Sequence, residues 1–163
     1  MGGIHKVFSG GMILAALGLG LALLPQDARS GPARQSQQDA KSTEPIPAHH
    51  ESAPTGPLPE TLSPSLFPDP LAQNAYTLAA RVKKVLYQQP CYCHCDRSQG
   101  HGSLLDCFTG HHAAVCGTCE REAFYSYEQT QKGKTPAQIR EGIERGDWEK
   151  LDVTKYQSPL PAK

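Results

Sequence analysis

All six cysteines of this chain fall between Cys91 and Cys119, in the order C-x-C-x-C, eleven residues, C, eight residues, C-x-x-C. Four of the seven histidines (His94, His101, His111 and His112) share the same window. Large apolar residues are few there: Tyr92, Leu104, Leu105, Phe108 and Val115. A domain of about 90 residues with so thin a core needs a staple, and the sulfur cluster is the candidate.

Three chemistries compete for that cluster. Disulfides are the default for an even cysteine count outside the cytoplasm. Geometry restricts them, because a disulfide needs Cβ atoms about 3.8 Å apart while extended i,i+2 positions lie about 6–7 Å apart. Cys91, Cys93 and Cys95 would therefore each pair with Cys107, Cys116 or Cys119, giving three bridges. Such a scaffold does not explain the histidines. A metal explains both, since thiolate with imidazole selects zinc, copper(I) or similar soft and borderline ions. C-x-x-C is the commonest half-site for tetrahedral zinc. An extended C-x-C-x-C spreads Cys91 and Cys95 about 13 Å apart, so the loop curls or its cysteines divide between sites. Six thiols with several histidines exceed one tetrahedral ion, which points to two ions, or one ion and a disulfide. Redox chemistry is the third reading. Cys116 and Cys119 at the head of a helix sit where the positive dipole end lowers a thiol pKa, with Cys93 and Cys95 as further candidates. No βαβ setting of the thioredoxin kind accompanies them, and Glu120 after Cys119 excludes haem attachment. His101, between two glycines, either ligates or caps locally. One of His111 and His112 is a ligand and the other an exposed neighbour. His94 reads as a solvent-facing spacer, Tyr92 as packing, and Glu120, Glu122 and Glu128 as a solvated helix face.

The rest of the chain divides in three. An apolar run from Met12 to Leu24 follows His5 and Lys6, as in an export signal, and Pro25 ends it. Ala28 is a cleavage position with Gln26 where a small residue is expected. Counted from Val7 the run reaches eighteen residues, enough to anchor the chain in a membrane if uncut. Either outcome places the remainder outside the cytoplasm, in the periplasm or cell envelope. No cysteine precedes Cys91, so lipid attachment at a signal cysteine is excluded. Ten of the fourteen prolines lie between Pro25 and Pro70, with few core-forming residues among them, so residues 29–69 read as a disordered linker. Sixteen basic residues balance sixteen acidic ones, and no field argues for nucleic acid. No phosphate loop, H-E-x-x-H or nucleophile elbow marks a hydrolase or transferase.

From Asp69 the pattern is helical. Asp69 caps and Pro70 opens a helix whose stripe is Leu71, Ala75, Leu78, Val82, Val85 and Leu86, stopped by Pro90. A short helix over Ser103–Phe108 has Asp106 facing Ser103 in a capping box and ends at Gly110. A third starts near Cys116 or Thr118, runs to about Gln131 and closes at Gly133. Thr135, Pro136 and Gln138 start the fourth, with Ile139 and Ile143 inward before Gly146, and Trp148 and Leu151 fold back. No stretch alternates with period two. The expected architecture is all-α: about four short helices over residues 70–152 around the Cys/His cluster, then a flexible tail, 153–163.

Pro90-Cys91-Tyr92-Cys93-His94-Cys95, followed by Gly100-His101, Leu104 to Phe108 with Cys107, and His112 before Cys116-x-x-Cys119, resembles the bacterial PCYCGC-motif or CYCXC family of exported proteins. The likeness spans roughly Leu71 to Trp148, and some members are selenoproteins. It implies that His101 and His112 belong to the cluster with the cysteines, and that the chemistry is redox or soft-metal binding rather than inert stapling. His94 departs from the motif, which has glycine there. The resulting expectation is a zinc or copper centre built from Cys91, Cys93, Cys95, His101, Cys107, His112, Cys116 and Cys119, with an extracytoplasmic thiol redox protein as the alternative and a disulfide-stapled interaction scaffold third.

Overall fold

A computed structural model describes residues 44–160, so the expected signal or anchor segment lies outside the described residues. These residues form six α-helices and, among them, no strand. α1 (Pro70–Arg81) starts as its sequence dictates: the Asp69 carboxylate accepts from Ala72 N, and Pro70 occupies the first turn. The helical ladder breaks at Val82 (φ −125°, ψ 27°) and resumes over α2 (Lys83–Leu86). α3 (Cys95–Gln99) and α4 (Asp106–Thr109) are single turns. α5 (Gly117–Gln131) is the longest element, and Gly133 with φ 76° follows it. α6 (Pro136–Glu144) opens on a complete capping box, Thr135 Oγ1 accepting from Gln138 N and Gln138 Oε1 from Thr135 N. The four expected helices are all present. The first is split, and α3 is additional.

α1 packs against α5 to make the main core. Ala72, Ala75, Leu78 and Ala79 meet Ala123 and Phe124, while Leu86, Leu104, Leu105 and Phe108 close the space beneath. Small residues on α1 let the two helix backbones approach closely, and aromatic rings fill the periphery. Phe67 tilts onto Tyr76, Tyr76 meets the edge of Phe108, and Phe124 stacks flat on Tyr156 at 3.9 Å. A second apolar group, Tyr125 with Ile139 and Ile143, seats α6 and carries Trp148 and Leu151 over it. Gly142 is the contact point of that interface. A methyl group there would overlap the Tyr125 hydroxyl and ring. Gly142→Ala is expected to cost about 1–3 kcal/mol through overpacking, read as a lowered denaturation midpoint, despite alanine's better helix propensity.

Three expectations change. Of the expected 29–69 linker, residues 29–43 lie outside the described residues, and residues 44–69 lie along the domain: Phe67 enters the main core, Leu58 and Leu62 pack on it, Pro47 is fully buried, and Leu62 N donates to Phe108 O. Counting apolar residues inside the segment underestimates it, because each one uses a core the helices have already built. The tail also folds back. Buried Asn74 donates to Tyr156 O and Ser158 O at 2.7 and 2.8 Å, holding Thr154–Tyr156 against α1. The glutamates of α5 are not a solvated face, since Glu120 and Glu122 are buried and Glu128 accepts from Tyr156 and Lys155. α5 is central, packed on α1, α2 and α6, so it has little solvent face to offer.

Candidate metal centre

The cluster occupies one end of the main core, where Cys91, Cys95, Cys107 and Cys119 are buried among the apolar side chains. Pro90 ends the helical region, and the chain turns at once: His94 N donates to Cys91 O at 3.1 Å. His94 then takes the left-handed conformation (φ 57°, ψ 34°), unique among the described non-glycine residues. That reversal starts α3 at Cys95. It brings the Cys91, Cys93 and Cys95 sulfurs within 4.8 Å of one another, in place of the extended spread. Gly100 (φ 71°) ends α3, and the Asp106 carboxylate ties the return loop by accepting from Gly102 N and Ser103 N at 2.7 and 3.2 Å. Only the acidic half of the expected capping box forms, because Ser103 Oγ has no partner. α4 presents Cys107, a 3-10 turn over His112–Val115 presents His112, and the first turn of α5 presents Cys119 beside its N-cap residue Cys116.

All eight expected ligands come together. Cys93, His112, Cys116 and Cys119 place one donor atom each within 4.8 Å of all the others, with His112 Nε2 3.5 Å from Cys93 Sγ and Cys119 Sγ 3.6 Å from it. A second set joins Cys95, His101 and Cys107, with Cys95 Sγ 3.3 Å and His101 Nδ1 3.4 Å from Cys107 Sγ. Cys91 lies between the sets. Its sulfur is 3.3 Å from Cys93 and 3.4 Å from Cys119, and it also groups with Cys95 and with Cys107. Bonds of about 2.3 Å to a tetrahedral zinc put sulfurs about 3.8 Å apart, so the donors need to move only slightly to close on an ion. The donor set fits: three thiolates and an imidazole in the first set, and two thiolates and an imidazole in the second, with Cys91 Sγ within 4.8 Å of both of those thiolates.

No disulfide joins any of the six cysteines, and all are free thiols. The nearest sulfurs, at 3.3 Å, are far beyond the bond length of about 2.05 Å. Of the paired histidines, His112 is the one in the cluster, while His111 is exposed and meets Phe67 edge-on. His94 is no free spacer. Its ring meets Tyr92 edge-on, its Nε2 lies 3.6 Å from Glu44, and its Nδ1 is buried without a partner.

The thiols share protons unequally. Hydrogen bonds from Cys107, Cys116, Cys119 and Cys91 hold the Cys93 thiol far below its ordinary range. Cys119 is pushed far up by the bonds it makes to Cys107, Cys116, Cys91 and Cys93. Cys116 is also raised: a bond from Cys119 favours its thiolate, but the bond to Cys93 and burial outweigh it. Glu122, expected on a solvated helix face, belongs to the site's surroundings. Fully buried one turn after Cys119, it accepts from Tyr92 N at 2.9 Å and so holds the cysteine loop, and burial pushes its carboxyl up to about 8. Its position three residues after Cys119, on the same helix face, is the signal that could have found it.

Two Cys/His sets with Cys91 between them define a sulfur-rich centre of the kind that can hold soft or borderline metal ions. The chain belongs to the family described as proteins of unknown function with a PCYCGC motif, whose family model matches residues 17–159. No curated protein and no solved structure matches the chain. Membership explains the departure at His94. The motif's glycine falls on the one cluster position that needs positive φ, where an L side chain costs roughly 1–2 kcal/mol. His94→Gly is expected to retain the cluster with unchanged or higher stability. His94→Val, β-branched in that region, is expected to lower stability by about 2 kcal/mol and weaken metal binding. Thermal melts of the two variants check this.

Proposed function

We propose that this chain is an exported protein whose Cys/His centre binds a soft or borderline metal ion, with zinc favoured. One observation carries the reading: Cys93, His112, Cys116 and Cys119 bring four donor atoms within 4.8 Å of one another from two separate stretches of chain, the Cys93 loop and the 3-10 turn that runs into α5. The imidazole in each set favours zinc, for which closed Cys₃His sites are an ordinary structural form. Copper(I) is the second metal, favoured by Cys91, whose sulfur is within reach of both sets as a bridging thiolate would be. Four of the six cysteines are buried and Cys93 and Cys116 are half-buried, as suits a structural or metal-handling role, and export rests on the apolar run before Pro25.

A thiol redox role is the alternative, and Cys93 favours it: half-exposed, with its thiol pKa lowered by hydrogen bonds from its neighbours. The Cys116 thiol, raised rather than lowered, speaks against the C-x-x-C pair as the attacking dithiol. Cobalt(II) titration of the reduced chain separates the readings. Metal binding predicts saturable thiolate-to-cobalt charge-transfer absorption with tetrahedral d–d bands, displaced by zinc. A dithiol protein without a metal site would show neither.

A further inference from the structure

The two halves of the cluster differ in what covers them. Cys91, Cys95 and Cys107 are 3%, 2% and 0% exposed with His101 half-buried beside them, whereas Cys93, His112 and Cys116 are all half-buried in front of the buried Cys119, and the adjacent Val115 is 88% exposed. Residues 44–51 lie on the first side. Pro47 is buried and lines one small cavity with Cys91, Cys95 and His101, and Ala48 N donates to the Asp96 carboxylate of α3 at 3.2 Å. Both ends of the segment are tied down. Glu44 lies 3.6 Å from His94 and 3.9 Å from Arg97 at one end. At the other, His50 stacks flat on Tyr87 at 3.8 Å and Glu51 pairs with Arg140 at 2.5 Å. His49 Nδ1 lies 2.9 Å from Pro47 O, which holds the turn over the sulfurs.

We propose that the two sets bind metal with different lifetimes: Cys91, Cys95, His101 and Cys107 retain a structural zinc ion beneath residues 44–51, while Cys93, His112, Cys116 and Cys119 hold an ion that exchanges with the surroundings. This rests on the metal-binding reading above and assigns separate roles within it. Ligand exchange at zinc requires an incoming donor to reach the ion while a thiolate leaves. At the half-exposed set that donor approaches past His112 and Cys116. At the covered set it must wait for residues 44–51 to lift, which breaks the Glu51–Arg140 pair, unstacks His50 and exposes Pro47. Local opening of that kind sets the exchange rate. The chain thereby separates an ion that maintains the fold from one available for transfer to a thiol- or imidazole-bearing acceptor.

The test is zinc release from the full chain, loaded with Zn²⁺ under reducing conditions and mixed with excess chromophoric chelator. Two phases of one ion each are expected, the second slower by about 100-fold or more because it requires local opening. Cys116→Ser should remove the fast phase and keep the slow one. Glu51→Ala, at an exposed carboxylate whose loss does not threaten the core, should speed the slow phase about tenfold by loosening the cover and leave the fast phase unchanged. A single rate for both ions, or Glu51→Ala acting on both phases alike, overturns the proposal while leaving metal binding intact. A chain that takes up no zinc at all overturns the metal reading itself.

Discussion

Stripping metal from the reduced chain is expected to lower its thermal midpoint by about 20 °C or more and to remove part of its helical signal. The cluster is one end of the main core, where Cys91, Cys95, Cys107 and Cys119 are buried among Leu104, Leu105 and Phe108. α3 and α4 are single turns, too short to persist alone, and their side chains converge on the sulfurs. Structural zinc supplies about 10–16 kcal/mol of apparent binding energy in small domains, and binding to the folded state alone is folding energy. Losing even about 5 kcal/mol of it corresponds to that shift for a domain of roughly this size. The contact between α1 and α5 does not depend on the cluster, so circular dichroism of the stripped chain should retain a residual helical signal. Acidification should act in the same direction, since every thiolate ligand must be deprotonated to bind and affinity falls as pH falls. A chelator-treated chain with an unaltered melt would contradict this account.

Cys119→Ala is expected to carry the largest effect of any single substitution. Its sulfur is fully buried, belongs to the four-ligand set, and lies 3.4 Å from Cys91 and 3.6 Å from Cys93, so its loss disturbs both sets. Loss of a partner around a metal ligand already costs about 10–100-fold in affinity, and removal of the ligand itself should exceed the upper figure. Metal content should fall by one ion, and the remaining ion should bind more weakly. His111→Ala is the matched control. It removes an exposed imidazole next to His112 that has no donor atom in either set, and metal content should not change. Metal analysis of the two purified variants decides the point. Equal losses would show that the histidine assignment is wrong.

The helices legible in the sequence were those with chemical start signals. Asp69-Pro70 and Thr135-Pro136-Ala137-Gln138 place capping oxygens by local spacing, and tertiary packing did not override them. The members of the cluster were also legible, because residue type and crowding limit what Cys and His can do together. Which residue joins which set was not. It depends on the positive φ of His94 and on the direction in which α3 leaves the turn, neither visible in a one-dimensional spacing. Buried Glu122 and the covering segment at Pro47 failed for a shared reason. A glutamate on a helix and a proline-rich stretch both read as solvated until the surface opposite them is known.

Elemental analysis together with thiol counting, on the chain purified without chelator and without air, decides whether this chain is a metal protein. Two zinc ions per chain are expected, with six thiols that react fully only after the metal is removed. A metal-free chain with its cysteines paired as disulfides would contradict this.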